Sequence, residues 1–193
     1  MKLKNPLFWI VAIAGIVIDY VTKQQALQWV IQNFGEDTLK AMEAPGGGPQ
    51  SVDITTVIEG VLNFTFLLNK GAAFGAFSEN GAWLKWLSLV VSLALMVYGW
   101  RIKFPNRWET IGYGFLLSGA LGNGIERFFK GYVIDFIAVF PTTNLPFLNG
   151  PFPVFNMADI WINVGILCLL VAAIQEPDEH TNRAPTRPGK RPK

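Results

Sequence analysis

Two aspartates stand where an apolar chain has little reason to keep them. Asp135 is the only charged residue in "YVIDFIAVF", and Asp159 is the only one in "VFNMADIWINVG". An ionisable side chain at membrane depth costs about 2.5–3.5 kcal/mol on insertion scales, so each is a candidate functional group that needs a partner. Two carboxylates sharing a low-dielectric site do not both ionise easily; one keeps a proton and the other does not. An aspartic peptidase uses that asymmetry. The ionised acid takes a proton from a water attacking the scissile carbonyl, while the protonated acid donates to the carbonyl oxygen. No metal is required. A single histidine, His180, and a single cysteine, Cys168, leave no transition-metal ligand set at useful spacing.

Other polar residues share the apolar segments. Asp19 and Lys23 lie at i and i+4, the spacing at which helical side chains face each other, and read equally as a structural ion pair or as part of a site. Asn156, Asp159 and Asn163 fall at i, i+3 and i+7, which predicts one polar stripe facing a bundle interior. Plain interhelical hydrogen bonding would explain the asparagines, and a helix N-terminus would explain Asp159. Asn123 and Arg127 share i, i+4 spacing if their helix continues, with Arg127 snorkelling to the interface. No sequence neighbour neutralises Asp135, so its partner must come from elsewhere in the fold.

The elements that would position these residues are membrane helices. The 193-residue chain is 51% hydrophobic and 16% charged, with a mean hydropathy of +0.32, which places it in the membrane class. A net charge of +2 gives no argument for nucleic acid. A spanning helix needs about 20 residues. Four candidate spans cover about 6–24, 82–100, 108–124 and 155–174, the third being the shortest. The start "MKLKNPLFWIVAIAG" also has the form of a secretory signal peptide, but its apolar run continues to Val21, which favours a retained first span. Cys168 reads as packing inside the fourth.

Charge placement orients the spans. Lys2 and Lys4 precede the first, Arg101, Lys103 and Arg107 fill the link between the second and third, and Arg183, Arg187, Lys190, Arg191 and Lys193 lie in the tail. All three regions fall on one side of a four-span chain, which the positive-inside rule makes the cytoplasm, so both termini are expected there. The connections 33–80 and 126–154 then face outward, bringing Asp135 and Asp159 near the outer membrane surface, where they can meet. Within the first connection, residues 57–66 alternate and are rich in β-branched and aromatic side chains, which predicts a small strand or hairpin. "NKGAAFG" follows, its Gly71 and Gly75 allowing close backbone approach. A Gly-rich insert at 46–48 reads as flexible. Residues 1–175 form one domain in this reading, and 176–193, rich in Pro and basic charge, a disordered cytoplasmic tail.

Taken in order, "DYVTK", "NKGAAFG", "GALGNGIERFFKGYVIDFI" and "FNMADIWINVG" resemble the motifs of the lipoprotein signal peptidase family, the bacterial type II signal peptidases. The resemblance runs from about Ile10 to Ile174. It implies a membrane all-α fold of four transmembrane helices with a small extracytoplasmic β element and a periplasmic loop helix, in the bacterial cytoplasmic (inner) membrane. The implied activity is that of a monomeric aspartic endopeptidase without cofactor, cleaving diacylglyceryl-modified prolipoproteins just before the lipidated cysteine and sensitive to globomycin-type inhibitors. Matched by motif, Asp135 and Asp159 are the catalytic dyad. Asp19, Lys23, Asn69, Gly71, Asn123, Arg127 and Asn156 match residues that shape the site or hold substrate. One departure is visible: the family commonly has "GNxxDR" where this chain has "GNGIER", which puts the pairing around Arg127 in doubt at Glu126.

Residues alone leave other classes open. A proton-coupled transporter would also carry intramembrane acids, but more often with internal repeats, and none is found here. A structural scaffold does not explain polar clusters at the same end of three spans. A serine/lysine peptidase built on Lys23 lacks a nucleophile motif around Ser78, Ser88, Ser92 or Ser118.

Overall fold

The structure, a computed structural model, describes residues 4–44, 51–71, 82–143 and 151–175. Lys2, the insert at 46–48, Gly75 with its neighbours Ala72 and Ala73, and the tail with His180 lie outside the described residues.

Among the described residues, five helices and three strands follow in the order α1 (Pro6–Phe34), α2 (Glu36–Glu43), β1 (Ser51–Ile58), β2 (Leu62–Asn69), α3 (Ala82–Arg101), α4 (Arg107–Phe129), β3 (Val133–Val139) and α5 (Met157–Gln175). Pro6 opens α1 at a position where its missing N–H costs nothing. The helix runs ten residues beyond the expected end of the first span, because "QQALQWVIQNF" is polar but holds no breaker before Gly35. There φ is +81° and the N–H still closes on the Ile31 carbonyl at 2.9 Å. The chain restarts at once as α2, a helix in the connection 33–80.

At the centre of the bundle α4 packs against α1, α3 and α5. Close approach depends on glycine. A Cβ on Gly119 would come within 2.5 Å of the Ala158 carbonyl, and one on Gly114 within 2.9 Å of the Phe8 carbonyl, so α4 meets α5 and α1 nearly backbone to backbone, while Gly122 leaves room for Asp19 Oδ2. The third span is longer than expected: α4 continues through Arg127 to Phe129, which places Asn123 and Arg127 on one helix. Among the described residues two helices, α1 and α5, are long and apolar enough to cross a membrane, with 18-residue stretches of mean hydropathy 1.6 and 2.2. Large apolar side chains stand exposed on α1, α3 and α5, among them Ile10, Ile13, Val90, Val97, Leu167 and Leu170. Such a girdle suits hydrocarbon rather than water.

The β element is larger than the sequence suggested. β1 and β2 form a hairpin closed by Gly60 at positive φ, and β3 adds on the far side of β2, giving one antiparallel sheet in the order β1-β2-β3. One face of the sheet packs Val52, Phe66, Leu68, Ile134 and Phe136 onto Ala26 and Val30 of α1 and Met42 of α2. Asp135, between Ile134 and Phe136, points the other way.

Candidate active site

The first turn of α5 is built by reciprocal bonds. Asn156 precedes the helix; its Oδ1 accepts from the Asp159 amide at 3.1 Å, and Asp159 Oδ2 accepts from the Asn156 amide at 3.1 Å. This is the logic of a capping box, with Asp in place of Glu at the third position. A second carboxylate holds the same turn: Asp19 Oδ1, from α1, accepts from the Ala158 amide at 2.9 Å. Asp159 is therefore fixed by its own helix start as well as by its neighbours.

Asp135 reaches the same place from β3. It is 2% exposed. The register sets Asn69 of β2 opposite Val133, diagonal to Asp135 on one face, and Asn69 Nδ2 donates to Asp135 Oδ2 at 2.8 Å. Asn69 Oδ1 accepts from the Gly71 amide at 3.0 Å, which orients the carboxamide. On the other side Asn156 Nδ2 donates to Asp135 Oδ1 at 2.6 Å and to Asn123 Oδ1 at 3.0 Å, while Asn123 Nδ2 donates to Asp159 Oδ1 at 2.8 Å. Two carboxamides, Asn156 and Asn123, thus bridge the two aspartates. Burial, and next the negative charge of Asp159, push the Asp135 carboxyl up to about 7, against the opposing pull of Asn69, Asn156 and Lys23.

Beneath the bridge lies a buried cation. Lys23, 1% exposed, donates to Asn123 Oδ1 at 3.1 Å and pairs with Asp19 Oδ2 at 2.8 Å and Glu126 Oε2 at 3.2 Å. A buried ammonium without such partners would be too costly to keep charged. Glu126 is also bonded to Lys130 through Oε1 at 2.8 Å, and its Oε2 accepts from the Ile134 amide at 3.1 Å.

Of the residues singled out in the sequence, Asp19, Lys23, Asn69, Gly71, Asn123, Asp135, Asn156 and Asp159 join one hydrogen-bonded network. Arg127 is half-buried and acts on Asp135 and Asp159 only through its charge. Asn163 departs from the expected stripe. It is exposed, and its Nδ2 donates back to the Asp159 carbonyl at 2.8 Å. Helical phase does not account for this, since Asp159 and Asn163 are four apart within α5; both lie on an edge of the helix that its neighbours only partly cover. Glu126 pairs with Lys23 and Lys130 rather than with Arg127, which answers the doubt raised by the departure from the family motif. Its share in the network was missed, although a Glu four residues before Lys130 was a readable pair.

The arrangement has relatives. The family model described as signal peptidase (SPase) II matches residues 11–175. A lipoprotein signal peptidase of Microcystis aeruginosa is 44% identical over 94% of this chain and 98% of its own length. One from a Cyanothece species is 43% identical over 100% of this chain and 96% of its own. A solved structure, described as a bacterial membrane enzyme determined by the in meso method at 2.3 Å resolution, superposes with a TM-score of 0.62 at 25% identity, covering 93% of each chain. With matches that span nearly its whole length, this chain belongs to the signal peptidase II family.

Proposed function

We propose that the chain removes the signal peptide from diacylglyceryl-modified prolipoproteins, cutting N-terminal to the lipidated cysteine, and does so as a membrane aspartic endopeptidase. Its membership of the signal peptidase II family supports the peptidase and its substrate class. The aspartic chemistry rests on one observation: Asp135 and Asp159, from different elements, are bridged by Asn156, which bonds to both. In this reading Asp135 enters the cycle protonated, in keeping with its raised pKa, and Asp159 enters ionised. Asp159 takes a proton from water as the oxygen attacks the scissile carbonyl carbon, and Asp135 gives its proton to the carbonyl oxygen, forming a neutral gem-diol. The C–N bond then breaks as Asp159 returns its proton to the departing amine. Asp135 recovers a proton from the diol, leaving a carboxylic acid product and the starting enzyme.

α1, α3, α4 and α5 are taken to span the bacterial inner membrane, with both termini cytoplasmic and the dyad near the outer surface. Lys4 supports that orientation by donating to the Arg101 carbonyl at 3.0 Å, which gathers Lys4, Arg101 and the α3–α4 link at the end remote from the dyad. The exposed apolar girdle accepts the membrane lipid, the diacylglyceryl group and the signal helix. Asn69, Gly71 and Arg127 border the dyad and face the substrate backbone. The enzyme acts as a monomer and is blocked by globomycin-type cyclic peptides. A gel-shift cleavage assay with a purified diacylglyceryl-modified prolipoprotein tests the reading. Cleavage by the wild-type chain, lost in folded D135N and D159N, is the expected result; cleavage that survives either change rules out the dyad.

A further inference from the structure

We propose that Glu126, which touches neither aspartate, is the positioning residue that sets the spacing of the dyad; this rests on the aspartic peptidase reading above. A single oxygen, Oε2, has two partners. It accepts from the backbone amide of Ile134, the residue before Asp135, at 3.1 Å, and it pairs with Lys23 Nζ at 3.2 Å. Through the first contact it anchors the start of β3, and with it the Cα of Asp135. Through the second it holds Lys23, which donates to Asn123, which donates to Asp159. Both arms of the dyad therefore converge on one carboxylate of α4.

The geometry makes the extra methylene of this residue useful. The α4 helix ends at Phe129 and β3 begins at Val133, so Glu126 must reach across the turn at Lys130 and Gly131 to meet Ile134. It does so from a side chain that is 10% exposed, where the carboxylate is worth keeping only if its bonds are made. Its other oxygen, Oε1, goes to Lys130, whose side chain is about a third exposed and which contacts nothing else in the network. The three partners separate by role: Ile134 and Lys23 lead to the aspartates, whereas Lys130 leads to solvent and to the face of the Tyr132 ring, 5.9 Å away.

The test compares E126Q, E126D and K130A with the full wild-type chain in lipid bilayers, measuring kcat and KM on a diacylglyceryl-modified prolipoprotein and thermal unfolding on each variant. The glutamine oxygen can still accept from Ile134 and Lys23, but it loses the charge that holds Lys23 and turns an NH2 toward the Lys130 ammonium. A displaced dyad costs roughly 10- to 100-fold in kcat, since about 1 Å of misplacement can have that effect, while KM should stay within about twofold because substrate contacts are intact. E126D keeps the charge with a shorter reach and should fall between wild type and E126Q; K130A should keep wild-type kcat. Wild-type kcat in E126D and E126Q, or a change confined to KM or to unfolding temperature, overturns the proposal. An equal loss of kcat in K130A overturns it too, since the effect would then come from charge at the helix end. Should E126Q fail to fold, the ranking of E126D against K130A decides alone. Failure of the folded wild type to cleave would instead overturn the peptidase reading on which the proposal rests.

Discussion

A buried asparagine holds each end of the bundle, and the two do different work. At one end Asn5, before α1, donates through Nδ2 to the carbonyls of Gly99 and Ile102 at 2.7 and 2.6 Å and accepts from the Phe104 amide at 3.4 Å. Every partner is backbone. The surroundings are aromatic, with Phe104 stacked on Tyr113 at 5.1 Å and Phe8 tilted against Phe104 at 5.6 Å. At the other end Asn156 also meets backbone, but its carboxamide binds Asp135 and Asn123. The buried join of α1 to the end of α3 is made by a neutral amide, with Lys4 adding only an exposed bond to the Arg101 carbonyl. The acids and the lysine gathered around Asn156 are therefore more than folding requires, and a membrane protein keeps such groups where they act.

The sharpest way to break the comparison is to neutralise the acids. D135N and D159N keep the shape of the side chain but only one acceptor oxygen where each aspartate uses two, so each gives up one hydrogen bond; the fold should persist while cleavage falls by about 10³-fold or more, as expected when an acid–base group is lost. Activity near wild type in either would make the two ends equivalent. N156A comes next. It removes the donor to Asp135 and Asn123 together with the cap of α5, and should lower kcat by about 10²-fold and stability by about 1–2 kcal/mol, read from initial rates and thermal unfolding.

A smaller effect separates the ends by pH. The carboxyl of Asp135 is raised to about 7 by burial and by Asp159, so the protonated form needed at the start is present below neutrality and lost above it. The kcat/KM profile should turn down on its alkaline side with a midpoint near 7, a value belonging to the pair rather than to one residue. A profile flat through neutrality would contradict the assignment. The same shift bears on stability with a defined sign. Between the ordinary carboxylate range and about 7 the unfolded chain has released a proton that the folded chain keeps, so stability declines as pH rises across that window. The smallest effect is at the other end: N5A leaves the Gly99 and Ile102 carbonyls unpaired and should cost about 1–3 kcal/mol, with kcat unchanged within about twofold.

The helices were legible because "PLFWIVAIAG" and "GILCLLVAA" are apolar runs without breakers, and length alone then assigns them. β3 was not. "VIDFIAV" is buried on both faces apart from two partly exposed positions, so the alternation that reveals a half-exposed strand is missing. Without that strand the meeting of Asn69 with Asp135 could not be read, because it depends on a register 66 residues apart in sequence. Asp19 with Lys23 was readable from spacing within one helix; that both serve α4 and α5 was not, since those contacts lie about a hundred residues away. Asn163 was misplaced because its spacing from Asp159 says which edge of α5 the two share but not how far other helices cover that edge.

The reciprocal bonds between Asn156 and Asp159 carry a consequence for how the chain matures. In the proposed mechanism the aspartate that begins this helix also takes part in hydrolysis, so the dyad has no separate moment of assembly. Until α5 has docked its first turn against Asp19, Asn156 is not placed to bridge anything, and the chain carries two acids but no dyad. On the proposed reading, a newly inserted or partly assembled copy is inert toward other polypeptides until that docking is complete.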